Sequence, residues 1–118
     1  MKQQCILIID KEEAIRESFQ LVLQEEGYCC FIAKDLTEAK QILAAETVDI
    51  LLIDSLLVRS PSSLPSLLSA YPEVGVIVMG GYAEIEVMQR TLSEGAHDFI
   101  IKPMEFAELI HKVSKYSK

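Results

Sequence analysis

Val48-Asp49-Ile50-Leu51-Leu52-Ile53-Asp54 is the stretch on which the fold turns. Its isoleucines and leucines run on without the in-and-out alternation of a half-exposed strand. Such a strand is buried on both faces, as in a parallel sheet. The run closes on an acid, Asp54. Two other apolar runs also close on a charge: Cys5-Ile6-Leu7-Ile8-Ile9 on Asp10, and Phe99-Ile100-Ile101 on Lys102, just before Pro103. Charges at the ends of three buried strands meet at one edge of a parallel sheet, which is where open α/β sheets hold their ligands.

Helical patterns separate the runs. Asp10 to Glu13 supplies acids for a helix N-terminus, where the macrodipole favours them. That helix is expected to run to about Glu26, with Ile15, Phe19, Val22 and Leu23 on one face and Gly27 as its stop. Tyr28 to Ala33 reads as the second strand, and Thr37 as the cap of a helix burying Ala39, Ile42 and Leu43. Asp49 to Ile53, the most apolar strand, is central. Ser60-Pro61-Ser62-Ser63 is turn chemistry before a short helix with Leu64, Leu67, Leu68 and Tyr71 on its face, ended by Pro72. Gly75 to Met79 is the fourth strand, followed by a flexible Gly80-Gly81 loop and a helix with a buried stripe of Ile85, Met88 and Leu92, closed by Gly95. Phe99 to Ile101 is the fifth strand. Glu105 to about Tyr116 is the last helix, with Phe106, Leu109, Ile110 and Val113 inward.

Five such strand–helix units fill residues 1–118 as one domain, without internal repeats. Their alternation demands right-handed crossovers, a parallel sheet and helices on both faces. The fold class is therefore α/β, a flavodoxin-like (βα)5 with a five-stranded parallel sheet in the order 2-1-3-4-5. In that order the first and third strands are neighbours, bringing Asp10 and Asp54 together.

Composition narrows the function classes. A net charge of −7, with scattered basic residues and only a mild cluster at Lys112, Lys115 and Lys118, argues against direct nucleic-acid contact. No apolar run approaches the ~18 residues of a membrane span, and no signal peptide is apparent, so a cytoplasmic setting is expected. Cys5, Cys29 and Cys30 lack metal-ligand spacing and read as reduced, small apolar residues. His97, in a turn, and His111, off the apolar face of its helix, read as solvated. No Gly-rich phosphate loop follows the first strand, which sets aside a flavin or dinucleotide enzyme on this fold.

Three segments carry a family resemblance: Ile6-Leu7-Ile8-Ile9-Asp10, Asp49-Ile50-Leu51-Leu52-Ile53-Asp54, and Gly95-Ala96-His97-Asp98-Phe99-Ile100-Ile101-Lys102-Pro103. On them the chain resembles a receiver domain of the bacterial two-component response regulators, a signalling module and not an enzyme. Gly81-Tyr82-Ala83 with Gly95-Ala96 is similar, more finely, to receivers attached to enhancer-binding transcription activators. The resemblance implies that Asp54 is the phosphoacceptor, a carboxylate nucleophile that forms an acyl phosphate. It implies that Lys102 binds the phosphoryl oxygens. It places Mg²⁺ in an acidic pocket around Asp10, with Asp54 and the Leu56 carbonyl as further ligands. It also implies partners: a histidine kinase or phosphotransfer protein, an output domain or partner protein, and a homodimer through the face around Arg90, Glu94, Phe99, Glu108 and Lys112.

The chain departs from the family at three places. Lys11 stands where the second metal-binding acid is expected, with Glu12 as a substitute acid reaching round from the helix start. Gly80 stands where a Thr or Ser would switch inward together with the aromatic Phe99. Ser55-Leu56-Leu57-Val58 lacks the usual Met-Pro after the nucleophile. Lys11 is expected to place an ammonium beside Asp10 and Asp54, worth about 4 kcal/mol per contact at ~4 Å, so that Mg²⁺ binds weakly or not at all. Gly80 removes the differential contact that would move a two-state switch. Two functions are therefore expected: a phosphorelay receiver with impaired metal and switch machinery, or a phosphorylation-independent pseudo-receiver acting as a constitutive interaction module.

Overall fold

In the computed structural model, which describes residues 2–117, the sheet strands are β1 (Cys5–Ile9), β2 (Cys29–Ala33), β3 (Ile50–Asp54), β4 (Gly75–Gly80) and β5 (Asp98–Ile101). All pairings are parallel, in the order β2-β1-β3-β4-β5, as the alternation of runs and helices requires. The helices are α1 (Glu13–Glu25), α2 (Leu36–Ala45), α3 (Ser63–Ser69), α4 (Ile85–Ser93) and α5 (Phe106–Tyr116). Two short 3-10 turns, Ser55–Val58 and Tyr82–Glu84, follow β3 and β4. Lys118 of the C-terminal basic cluster lies outside the described residues.

Each central strand divides its side chains between two cores. Leu7, Ile9, Leu51, Ile53, Val76 and Val78 pack with residues of α2, α3 and α4, among them Ala39, Leu43, Leu64, Leu67 and Met88. Ile6, Ile8, Ile50, Leu52, Ile77 and Met79 pack on the other side with Phe19 and Leu23 of α1 and Leu109 and Val113 of α5. The period-two division makes the doubly apolar runs necessary. Truncating a residue such as the fully buried Leu52 to alanine would cost about 2–5 kcal/mol.

Three local expectations are corrected. The cap of α2 is Asp35, not Thr37: its carboxylate accepts from the Glu38 N–H at 2.9 Å, while Glu38 reaches back to the Lys34 N–H at 2.8 Å. Two reciprocal bonds outcompete a lone hydroxyl one residue inside the helix. On α4 the buried stripe includes Thr91 and not Leu92, which is 42% exposed. Thr91 is tolerated there because its hydroxyl donates to the Met88 carbonyl at 2.6 Å. Phe106 is 47% exposed and meets Phe19 edge-to-face, instead of lying fully inward. Gly27 ends α1 with φ of 95°, the left-handed conformation glycine adopts without strain.

The cysteines are free thiols. Burial pushes the Cys30 thiol up to about 12 and that of Cys5 up to about 11, keeping both protonated and poorly nucleophilic at neutral pH.

Candidate functional site

The site forms where β1, β3 and β5 end at one edge. Asp10 is completely buried and Asp54 is 5% exposed. Lys102 extends from the end of β5 to donate to Asp10 Oδ2 at 2.6 Å, with Asp54 Oδ1 3.8 Å from the same ammonium. Its own position is fixed by its backbone N–H, which donates to the Gly80 carbonyl at 2.8 Å. The second Asp10 oxygen accepts from the Glu12 N–H at 2.9 Å, and Asp54 Oδ1 from the Leu56 N–H at 3.4 Å. Burial pushes the Asp54 carboxyl above its ordinary range. The Lys102 charge pulls it down, Asp10 pushes it up, the Leu56 N–H pulls it down, and Glu12 pushes it up.

Asp10, Glu12, Asp54, Leu56 and Lys102 are thus gathered at one place. Lys11 is not part of it. Its side chain is exposed and forms no ion pair among the described residues, so the ammonium expected beside the acids is that of Lys102 and not of Lys11. A second ammonium there would lose its hydration, which the exposed Lys11 side chain keeps. The Lys11 carbonyl, with that of Asp10, is held by Arg16 Nη1 at 3.0 and 2.8 Å.

The donor set does not fit a divalent ion as it stands. Asp10 is spent on Lys102 and on a backbone N–H, and no three metal-ligating side chains converge among the described residues. A hard octahedral cation takes carboxylates free to face it.

The loop beyond β4 is tied down by residues that carry no motif. Arg59, just past the turn after β3, grips Glu84 with two hydrogen bonds of 3.0 and 2.6 Å. The hydrogen-bonded guanidinium holds the Glu84 carboxyl below its usual range, although Glu84 is 7% exposed and burial acts in the opposite direction. Arg90 of α4 donates to the carbonyls of Val58 at 2.6 Å and Arg59 at 2.8 Å and pairs with Glu94 at 3.2 Å. Lys112 pairs with Asp98 at 2.9 Å and donates to the Phe99 carbonyl at 3.2 Å. Arg90 and Lys112, expected to be available for two-fold pairing, are therefore engaged within the chain. Phe99 packs against the α2–α4 side of the sheet. His97, though exposed, is not merely solvated: its Nδ1 accepts from the Val76 N–H at 3.1 Å.

The family model of the response regulator receiver domain matches residues 6–114. The chain belongs to the response-regulator receiver family. The receiver is 32% identical over 109 residues to a putative NtrX-like response regulator of Rickettsia bellii, covering 89% of this chain and 23% of that protein. It is 29% identical over 118 residues to sporulation initiation phosphotransferase F of Bacillus subtilis, covering 98% of this chain and 95% of that one. Among solved structures, the receiver domain of NtrX from Brucella abortus superposes with a TM-score of 0.87 at 27% identity, covering 94% and 96% of the two chains. The receiver spans about a quarter of the length of several curated relatives it matches, such as the 23% and 24% of two NtrX-like regulators. It is a receiver domain of two-component signal transduction.

Proposed function

We propose that Asp54 accepts a phosphoryl group from a histidine kinase or phosphotransfer protein, in a receiver whose metal and switch machinery are impaired. The observation that carries this reading is the Lys102 ammonium set between Asp10 and Asp54 at the sheet edge. An Asp54 oxygen attacks phosphorus, the bond from phosphorus to the donor's imidazole nitrogen breaks, and that nitrogen keeps the electron pair. Lys102 offsets the charge that builds on the phosphoryl oxygens. Mg²⁺ binding is weak, because Lys11 supplies no second acid and Asp10 is already paired.

An apolar rim supports a protein donor: Leu56, Tyr82 and Phe106 are 49%, 74% and 47% exposed and belong to the segments that follow β3, β4 and β5. A groove of about 440 Å³, lined in part by Phe19, Lys102, Met104 and Phe106, opens beside the ammonium. The domain passes its state to an output domain or partner protein in the cytoplasm, without contacting nucleic acid itself. No helix among the described residues is long and apolar enough to cross a membrane.

The pinning of the β4–α4 loop by Arg59–Glu84 and Arg90 favours a second reading, a pseudo-receiver that engages its partner in one fixed state. Incubation with acetyl phosphate and Mg²⁺, followed by intact-mass measurement, separates the two. One phosphoryl increment, lost in Asp54→Asn, supports the first; no increment under any small-molecule donor supports the second.

A further inference from the structure

Cys5 and Cys29 open two neighbouring strands and stand directly opposite one another in the parallel ladder of β1 and β2. Neighbouring strands run about 4.8 Å apart, inside the ~4.4–6.8 Å between Cα atoms that a disulfide spans. The side-chain period of two puts both cysteines on one face. Leu7 and Ile9 of β1, and Phe31 and Ala33 of β2, share their parity and pack on the α2–α4 side. Cys30 faces the other way, in the core of Ile6, Ile8 and Phe19.

The backbone holds this register from both sides. The Cys29 N–H donates to the Gln4 carbonyl at 2.9 Å, and the Gln3 side-chain amide donates to the Gly27 carbonyl at 3.0 Å. Toward β3, the Cys5 N–H donates to Asp49 Oδ2 and the Asp49 N–H to the Cys5 carbonyl, both at 2.8 Å. Between the strand starts so tied, the two thiols are in hydrogen-bond contact, the Cys5 S–H donating to the Cys29 sulfur. Both are half-buried free thiols within reach of a small reagent, whereas Cys30 is buried.

We propose that Cys5 and Cys29 are a reversible modification site, a dithiol that a low-molecular-weight disulfide converts into a cross-strand bond. The Cys29 thiolate attacks one sulfur of the small disulfide, whose S–S bond breaks, and one small thiolate leaves. The Cys5 sulfur then gives its proton to solvent and attacks the Cys29 sulfur of the mixed disulfide, expelling the second small thiolate. The protein dithiol is oxidised, and the small disulfide is reduced to two thiols. After burial, Cys29 itself is what raises the Cys5 thiol, and that influence ends once Cys29 is in the mixed disulfide. The bond closes a loop around α1, the helix that lends Ile15 and Phe19 to the groove beside Lys102. It lies at the strand starts, away from the end of β3 that carries Asp54, and uses none of the acceptor's residues.

Glutathione disulfide is the probe, added to the folded receiver at mildly alkaline pH and followed by intact mass and peptide mapping. The unaltered chain should lose two hydrogens, yield a peptide pair joining Cys5 to Cys29, and return to its starting mass with dithiothreitol. Cys30→Ser should behave in the same way, and Cys5→Ser should stop at a mixed disulfide on Cys29. The oxidised chain should unfold at a higher urea concentration than the reduced one, because the bond restrains the unfolded chain. An unchanged or lowered midpoint would mean that the bond forms only by distorting the ladder, and would overturn the proposal. So would a mixed disulfide that persists in the unaltered chain, a bond to Cys30, or a linked dimer. Resistance of the folded chain to a reagent that oxidises it in urea would overturn it equally.

Discussion

Replacing Lys102 by methionine removes the one positive charge described between two buried acids while keeping a side chain of similar length. In the intact site its ammonium is 2.6 Å from Asp10 Oδ2 and 3.8 Å from Asp54 Oδ1. The side chains of Lys102, Asp10 and Asp54 are 17%, 0% and 7% exposed, so solvent screens little of this interaction. An ion pair at ~4 Å is worth about 4 kcal/mol at an effective dielectric of ~20, and leaving a buried charge unpartnered costs about 3–5 kcal/mol. Urea unfolding at pH 7.5 should therefore show a loss of about 3 kcal/mol.

The loss should depend on pH in a definite direction. Asp54 is already raised by burial, and Lys102 is the leading influence that pulls it down. Without Lys102 the native state binds a proton more tightly than the unfolded state does. Stability then rises as pH falls through the raised native value, by up to about 1.4 kcal/mol per pH unit, until the unfolded carboxyl also protonates. Asp54→Asn in the Lys102→Met background should recover part of the loss at pH 7.5 and flatten the profile above the ordinary carboxylate range. A Lys102→Met protein within about 0.5 kcal/mol of the unaltered chain, with no pH slope, would refute the electrostatic reading of the pocket.

Other perturbations bear on separate parts of the site. Gly80→Thr should lose about 1–3 kcal/mol by overpacking against Ser55, and the double change with Ser55→Gly should regain most of it; additive losses in urea unfolding would mean the two positions are not one unit. Burial alone would raise Asp98, but the Lys112 ammonium, the Phe99 N–H and the Tyr116 hydroxyl hold it below the usual carboxylate range. Its contribution is thus present above the unfolded value and lost as pH falls below about 4; thermal melts of Asp98→Asn should be less stable near neutrality and converge on the unaltered chain in acid. Mg²⁺ titration followed by amide shifts should not saturate at low-millimolar ion, and Lys11→Asp should tighten it by returning a hard oxygen ligand; saturation of the unaltered chain at micromolar Mg²⁺ would contradict the impaired-metal reading.

The fold was legible because the apolar runs are long, unalternating and separated by helical spacing, a pattern few topologies satisfy. Asp10, Asp54 and Lys102 were legible for the same reason: strand ends converge whatever the loops do. Lys11 was misplaced because the order of residues says only that it follows Asp10, not where its flexible chain points once Lys102 occupies the space between the two acids. Arg59 and Glu84 went unseen, and Arg90 was read as a partner-face residue, because the three meet across separations of 25 and 31 residues in turns of no recurring pattern. Ser55 was read only as part of a loop lacking Met-Pro. The glycine at position 80 was the available signal, since a bare backbone there implies that something else fills the space.

The most direct test of the acceptor is chemical mapping. The chain is incubated with acetyl phosphate, treated with borohydride to reduce any acyl phosphate to an alcohol, and digested for peptide sequencing by mass spectrometry. Expected is a single homoserine, at position 54, in the peptide that contains Ile50 to Ser55. A phosphate ester stable to hydroxylamine on a serine, a modified histidine, or homoserine at any other acid would contradict the assignment of Asp54.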